Sequence, residues 1–143
     1  MSTLTNIAVV RKMLDIFEGT SQDQLSQIFA ANWVNHDPSL PPMQGLEGAQ
    51  QLITLWSGLS KRKVTIDDSV SEGDQVAVRF QITGTHSADF MGWPATGRLI
   101  SVAATGIFHI VDGKVTDNWV NFDALGLLQQ IGAIPMPAPV PGK

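Results

Sequence analysis

The segment richest in side chains capable of chemistry is 117–123, Asp-Asn-Trp-Val-Asn-Phe-Asp. In a β-strand alternate residues share a face, so Asp117, Trp119 and Asn121 lie on one side, with Asp123 at the strand's end. If that side faces a cavity, an indole and a carboxamide flank the Asp123 carboxyl. Partly dry surroundings favour the neutral form of a carboxyl, which suits it to proton transfer. From strand spacing alone the segment favours a helix N-cap at Asp123, with an acid/base in the cavity as the alternative.

The three histidines are at positions 36, 86 and 109. His36 and His86 lie in turn-rich sequence, where functional side chains collect, so both are candidate pocket residues. For His86 the alternative is a simple hydrogen bond to a backbone carbonyl. His109 lies within an apolar run, which favours a structural role. His36, Asp37 and His86 could ligate a metal, but their spacing matches no pre-aligned metal motif, and no metal site is predicted.

Aromatic content and missing residue types narrow the possible chemistry. The chain has four tryptophans, which together suit an aromatic-lined cavity, although each one alone is equally compatible with a core position. It has no tyrosine and no cysteine, so phenol and thiolate chemistry and disulfides are excluded. There is no nucleophile elbow, phosphate loop or dinucleotide fingerprint.

Charge and hydropathy exclude two classes of partner. The formal net charge is −4, and nucleic-acid binding is not expected because phosphate contacts need clustered Lys and Arg. The short basic run 61–63 predicts a solvated loop. No apolar stretch reaches membrane-spanning length, and the first residues lack a signal-peptide pattern, so a cytoplasmic location is expected. Charged residues make up 15% of the chain, against about 25% in typical domains, which favours a lined cavity or an oligomer interface.

Helical periodicity comes first along the chain, and strand patterns follow. Helices are predicted at 4–18, at 21–29 after a capping box at Ser21 and Gln24, and at 46–59, with a proline-rich loop at 35–45. Strands are predicted at 64–70, 76–82, 99–111 and 114–122, the last two joined by an Asp-Gly hairpin, and a short helix at 124–130. The run 99–111 is apolar on both parities, which predicts cover on both faces.

This order predicts an α+β fold in which N-terminal helices cover a curved antiparallel sheet and enclose a pocket. One domain is expected at this length, over residues 1–132, followed by a proline-rich tail at 133–143.

A series of motifs carries a family resemblance. They are WVNHDP at 33–38, GLEG at 45–48, GTH at 84–86, FMGWPATGR at 90–98, WVNFD at 119–123 and LLQQIG at 127–132. Taken in order, they resemble the SnoaL-like polyketide cyclases, the ester cyclase group with the nuclear transport factor 2-like cone. The resemblance covers about residues 5–132.

The resemblance implies a homo-oligomer (dimer or tetramer) without a cofactor, acting on a small, largely apolar, polyketide-like substrate. Asp123 matches the position of the family's acid/base, which serves intramolecular aldol condensation or a related ring closure. His86 and His36 match motif positions near the pocket and are further catalytic candidates. The candidate substrate-binding residues are Trp33, Trp93, Trp119, Asn121 and Phe90.

Two other functions remain open. A hydrolase or isomerase could use the same pocket, and an Asp-Arg-Asp hydrolase would need a guanidinium from Arg79 or Arg98. A non-catalytic protein that binds a small hydrophobic ligand is the second alternative. Such a binder would tolerate replacement of Asp123 by Asn, whereas an enzyme relying on Asp123 would not.

Overall fold

The computed structural model describes residues 3–18 and 25–136, which form four helices and six strands. The helices are α1 (Thr3–Phe17), α2 (Leu25–Ile28), α3 (Gly45–Trp56) and α4 (Ala124–Gln130). The strands are β1 (Phe29–Asn35), β2 (Met43–Gln44), β3 (Leu59–Glu72), β4 (Gln75–His86), β5 (Leu99–Val111) and β6 (Lys114–Phe122). The predicted α+β class and the predicted bounds of β5, β6 and α4 are confirmed.

The strands form one curved sheet in the order β2-β1-β6-β5-β4-β3. Neighbouring strands are antiparallel, with the exception of β1 and β6, which run parallel. The sheet is therefore mixed, whereas a purely antiparallel sheet was expected. The second predicted helix is also too long, because Phe29 begins β1 instead of ending a helical stripe.

Helices α1 and α3 cover the inner face of the sheet and build the core against it. Along β5 the even-numbered residues from Ile100 to Ile110 are buried, while Leu99 and Ile107 on the outer face are 82% and 43% exposed. The prediction that β5 is covered on both faces is therefore wrong for the single chain. The side chains of one parity alone supply its buried face.

Residues Asp112 and Gly113 form the predicted two-residue hairpin between β5 and β6. Both have positive φ, 51° and 78°, as the tight turn that matches strand twist requires. Pairing is regular beside the turn, but it shifts by one residue at Thr116, which is an extra residue in β6. Because side chains alternate along a strand, this β-bulge reverses which residues of β6 face inward.

Arg62 ties the two covering helices to the sheet. Its guanidinium donates hydrogen bonds to the backbone carbonyl of Phe17 at the end of α1 and to that of Trp56 at the end of α3 (2.8 Å). It also donates to the carbonyl of Leu59 (2.7 Å), and its pKa is lowered by burial. The basic run 61–63 is thus part of β3 and not the predicted solvated loop.

Two predicted features lie wholly or partly outside the described residues. The capping box at Ser21 and Gln24 is outside them, and so are residues 137–143 of the proline-rich tail. Among the helices that are described, none is long and apolar enough to cross a membrane.

Candidate active site

A cavity lies between the inner face of the sheet and the covering helices. Its apolar walls come from α1, α3 and strands β3 to β6, with the lining side chains Met13, Leu14, Phe17, Leu52, Trp56, Val64, Phe80, Ile82, Ala104, Phe108, Val120 and Phe122. The polar members of the lining are Asn35, Asp37 and Asn118. Such an apolar cleft with a few polar groups is the usual form of a small-molecule site.

The cavity is narrow in the empty protein. The space between the lining atoms, counted with the part that opens to solvent, is about 500 Å³, but only about 50 Å³ of it admits the centre of a water molecule. The side chains therefore fill most of the cone themselves. A ligand with fused rings must move some of them to enter.

Asp37 brings a carboxyl group into this apolar lining. The residue is 8% exposed, and it follows β1 at the start of the loop that leads to β2. Burial raises the pKa of the Asp37 carboxyl, and a hydrogen bond from the backbone N–H of Ser39 to Oδ1 (2.8 Å) opposes that rise. A carboxyl with a raised pKa is a stronger base than an ordinary carboxyl, and it can return the proton that it accepts.

Beside it, three buried side chains form a chain of hydrogen bonds. The indole N–H of Trp33 donates to Oδ1 of Asn118 (2.6 Å), and Nδ2 of Asn118 donates to Oδ1 of Asn35 (2.7 Å). Within the described part of the protein, Nδ2 of Asn35 has no hydrogen-bond partner, although it is buried. The cavity lining thus includes a residue with an unpaired amide donor as well as a carboxyl group.

Asp123 does not face this cavity, and the prediction that it lies in a dry cavity mouth is wrong. The residue is exposed, and its Oδ1 accepts a hydrogen bond from the backbone N–H of Gly126 (2.9 Å), so it caps α4. The alternative weighed from the sequence, an N-cap, is the arrangement found. A direct catalytic role for Asp123 loses its geometric basis and stays a prediction for a variant to test.

His86 is fully buried, but it serves the connection between β4 and β5. Its Nδ1 lies 2.9 Å from Oγ1 of Thr96, and its Nε2 lies 3.2 Å from the carbonyl oxygen of Trp93. Both ring nitrogens are therefore engaged, and His86 is not among the residues that line the cavity. Trp93 itself is 42% exposed, and Phe90 is buried against Trp56 with ring centroids 5.1 Å apart.

The remaining candidates gather on the outer face of the sheet. His36 stacks on Trp119 with ring centroids 4.5 Å apart, and its Nε2 lies 3.0 Å from Oδ1 of Asp117. His109 packs against the same indole at 4.7 Å, which fits its predicted structural role. Asn121 is exposed on this face too. Of the predicted substrate-binding residues, only Trp33 reaches the cavity's polar groups, through its N–H.

The β-bulge explains this inversion. With regular pairing throughout the hairpin, Trp119 would lie opposite the buried Gly106 and point inward. The extra residue, Thr116, places Trp119 opposite Ile107 on the outer face instead. Asn118 takes the inward direction in its place.

The structure also bears on the alternative chemistries. Arg79 is exposed on the outer face, 3.6 Å from Asp67, and Arg98 donates to the backbone carbonyl of Gln130 (3.3 Å). Neither guanidinium lines the cavity, as an Asp-Arg-Asp hydrolase would need. Over residues 3–18 and 25–136, no group of three or more His, Asp or Glu side chains is arranged to hold a metal ion.

The polar cavity-lining residues that sequence reasoning missed are Asn35, Asp37 as a buried carboxyl, and Asn118. One usable signal was the uneven apolarity of β5, since the even-numbered parity is more uniformly apolar and marks the inner face. In WVNHDP, Asn35 and Asp37 are alternate residues and so point to one side of the chain, whereas His36 between them points to the other. This alternation separates the inward from the outward residues of the motif. Neither signal reveals the bulge.

Comparison with known proteins agrees with the fold and the cavity. The family model described as SnoaL-like polyketide cyclase matches residues 7–131. The aklanonic acid methyl ester cyclase DnrD of Streptomyces peucetius is 28% identical, over 94% of this chain and 95% of the relative. The solved structure of TsrD from Streptomyces laurentii is 28% identical with a TM-score of 0.83, over 94% and 99% of the two chains.

A SnoaL-like polyketide cyclase structure from Jannaschia sp. CCS1, 24% identical with a TM-score of 0.82, shares the fold and covers 93% of this chain and 95% of its own. The predicted nuclear transport factor 2-like architecture and the predicted cyclase type of enzyme are confirmed at the level of the family. The match over residues 7–131 covers all six described strands, helices α2 to α4, and α1 from residue 7 onward. This chain therefore belongs to the SnoaL-like polyketide cyclase family.

Proposed function

We propose that this protein closes a ring in a small, largely apolar, carbonyl-rich substrate, with Asp37 as the acid/base. The observation that carries the proposal is the Asp37 carboxyl, buried in a largely apolar cavity with its pKa raised by that burial. Proton transfer from carbon needs a base whose pKa is close to the working pH. In the described structure Asp37 is the carboxyl group that lines the cavity.

The proposed reaction is an intramolecular aldol condensation. The Asp37 carboxylate removes a proton from a carbon next to a carbonyl, and an enolate forms. The enolate carbon attacks a second carbonyl carbon of the same molecule, so that a C–C bond forms while the C=O π bond breaks. The neutral Asp37 carboxyl then returns the proton to the new alkoxide. Every step uses side chains alone, and the proposal needs no cofactor.

The apolar walls contribute by holding the substrate folded. A chain that is fixed with its two reacting carbons in contact reacts as if one partner were at very high concentration. The names of the curated relatives support the substrate class, because those proteins are called aklanonic acid methyl ester cyclases. We infer a polyketide ester of comparable kind here. The homo-oligomer and the cytoplasmic location expected from the sequence remain predictions.

The test compares one substitution at two carboxylates. With aklanonic acid methyl ester as the first substrate, Asp37→Asn is expected to lower the rate of cyclised product, followed by chromatography, by about a hundredfold or more. Asp123→Asn should stay within about threefold of the wild type, since Asn is also a good N-cap.

The opposite ranking would restore Asp123 as the acid/base and remove Asp37 from that role. Equal rates for both variants and the wild type would contradict carboxyl catalysis altogether. If the wild-type protein binds the ester but turns none of it over, the proposal of cyclisation fails for this substrate class and the ligand-binding alternative gains support.

A further inference from the structure

The direction of the hydrogen bonds between Trp33, Asn118 and Asn35 is fixed by their chemistry. An indole N–H only donates, so the Asn118 side chain must turn its oxygen toward Trp33. The amide nitrogen of Asn118 then points at Asn35, and the side-chain oxygen of Asn35 accepts its hydrogen bond. Consequently the NH₂ group of Asn35 is left without a partner among the described residues. An arrangement of two asparagines alone could flip; the tryptophan removes that freedom.

The free end of this series of hydrogen bonds is a buried donor that has no partner within residues 3–18 and 25–136. Asn35 is 7% exposed, Asn118 is 1% exposed and Trp33 is fully buried. Buried N–H groups are nearly always paired in folded proteins, and an unpaired one calls for an explanation. The unpaired Nδ2 belongs to a residue that lines the cavity, where a ligand atom could pair with it.

We propose that Asn35 donates a hydrogen bond to a carbonyl oxygen of the ligand and that Trp33 and Asn118 are positioning residues that hold its amide in the donating orientation. The proposal rests on the proposed function only in placing the ligand in this cavity. It predicts that the ligand places a hydrogen-bond acceptor, an oxygen atom that carries no hydrogen, next to Nδ2 of Asn35. The same fixed donor would serve an enolate oxygen without reorienting, which is the usual advantage of a preorganised site.

The first experiment measures selectivity with three small probes of one shape. 1-Tetralone presents a carbonyl oxygen, tetralin presents no polar atom, and 1,2,3,4-tetrahydroquinoline presents an N–H donor. Calorimetry should show that the wild-type protein binds tetralone at least about tenfold more tightly than either other probe, as expected for one buried hydrogen bond. The carbonyl stretch of bound tetralone should appear at lower frequency than in an apolar solvent.

Variants separate contact from positioning. Asn35→Leu should abolish both the preference for tetralone and the frequency shift, while tetralin binding stays within about threefold. Trp33→Phe keeps an aromatic ring but removes the N–H, so the amides can flip; the shift should become smaller or split into two bands. Asn121→Leu makes the same chemical change as Asn35→Leu on the outer face of β6 and should change neither readout.

Tetralone binding that is no tighter than tetralin binding in the wild type, or an unshifted carbonyl band, would overturn the proposal without reference to any variant. A shift that survives in Asn35→Leu would do so as well, and one that Trp33→Phe leaves unchanged would remove the positioning role. The outcome is independent of turnover: Asp37→Asn should keep the shift, so a failed cyclisation assay leaves this result standing, and the reverse also holds.

Discussion

The two faces of the sheet carry similar kinds of side chains in opposite circumstances. On the inner face, Asp37 lies among apolar groups, and burial raises the pKa of its carboxyl. On the outer face, Asp117 is a third exposed, and the hydrogen bond from His36 is the main cause that lowers the pKa of its carboxyl. Residue type is the same in both places. The surroundings alone favour the neutral form of one carboxyl and the anionic form of the other.

The comparison extends to polar networks. The inner hydrogen bonds of Trp33, Asn118 and Asn35 are shielded from water, and the indole donor fixes their direction. They end in a donor that is unpaired in the part of the protein that the structure describes. On the outer face, the side chains of His36 and Asp117 share a hydrogen bond (3.0 Å), and both are partly exposed to water, which can take the place of either partner. Buried networks of this kind are costly when incomplete, which is why they indicate a ligand. Exposed networks do not indicate a ligand, because water can pair with their polar groups.

The largest contrast should be in packing. Phe108 is fully buried on the inner face of β5, and its neighbour Ile107 is 43% exposed on the outer face. Phe108→Ala is expected to lower the free energy of unfolding by about 3–5 kcal/mol, because a buried ring is replaced by a cavity. Ile107→Ala should cost less than about 1 kcal/mol in the single chain. Urea denaturation measures both, and similar losses would mean that the outer face is buried in solution.

A second contrast concerns the pH dependence of stability at Asp37. The pKa of Asp37 is raised in the folded protein above the ordinary 3.8. Between pH 3.8 and the folded pKa, the folded protein therefore binds more protons than the unfolded chain, and the free energy of unfolding falls as pH rises through this range. Asp37→Asn keeps an acceptor for Ser39 and should be more stable than the wild type at neutral pH. Below pH 3.8 the difference should vanish. A variant less stable than the wild type at pH 7 would show that the carboxylate is well solvated.

The smallest effect is expected at Asp117, with the opposite sign. Its folded pKa is lowered, so the stability it contributes is present above the unfolded value of 3.8 and is lost as pH falls through the folded pKa. Asp117→Asn should reduce the free energy of unfolding at pH 7 by at most about 1 kcal/mol, as is usual for a partly exposed ion pair. Thermal denaturation of the wild type and the variant between pH 3 and 7 measures this difference. A difference in stability that grows as pH falls would contradict the prediction.

Local signals were sufficient for much of the fold. The Asp112-Gly113 turn and the bounds of β5, β6 and α4 depend on neighbouring residues, and the sequence predicted them correctly. Strand β1 was missed because its parallel pairing with β6 joins residues more than eighty positions apart, as the bond between Trp33 and Asn118 illustrates (separation 85). A strand that forms mainly through distant partners has little local signature.

The site was predicted less well than the fold for a related reason. One extra residue at Thr116 reverses the direction of every later side chain in β6, and nothing in the composition of that strand marks the bulge. Asp123 and Trp119 were therefore expected inside, and Asn118 was overlooked. Asp37 was noticed only as a possible metal ligand, because its burial depends on the helices that cover it.

The narrowness of the empty cone has a kinetic consequence. Met13 and Phe17 of α1 are among the side chains that line and narrow the cone, so a ring system can enter only after lining side chains change rotamer. Association of this kind is slower than diffusion, and its observed rate constant levels off as ligand concentration rises. Ligands of equal affinity would then differ in their association rate constants. The lining side chains would thus contribute to selectivity before any bond to Asn35 or Asp37 is made.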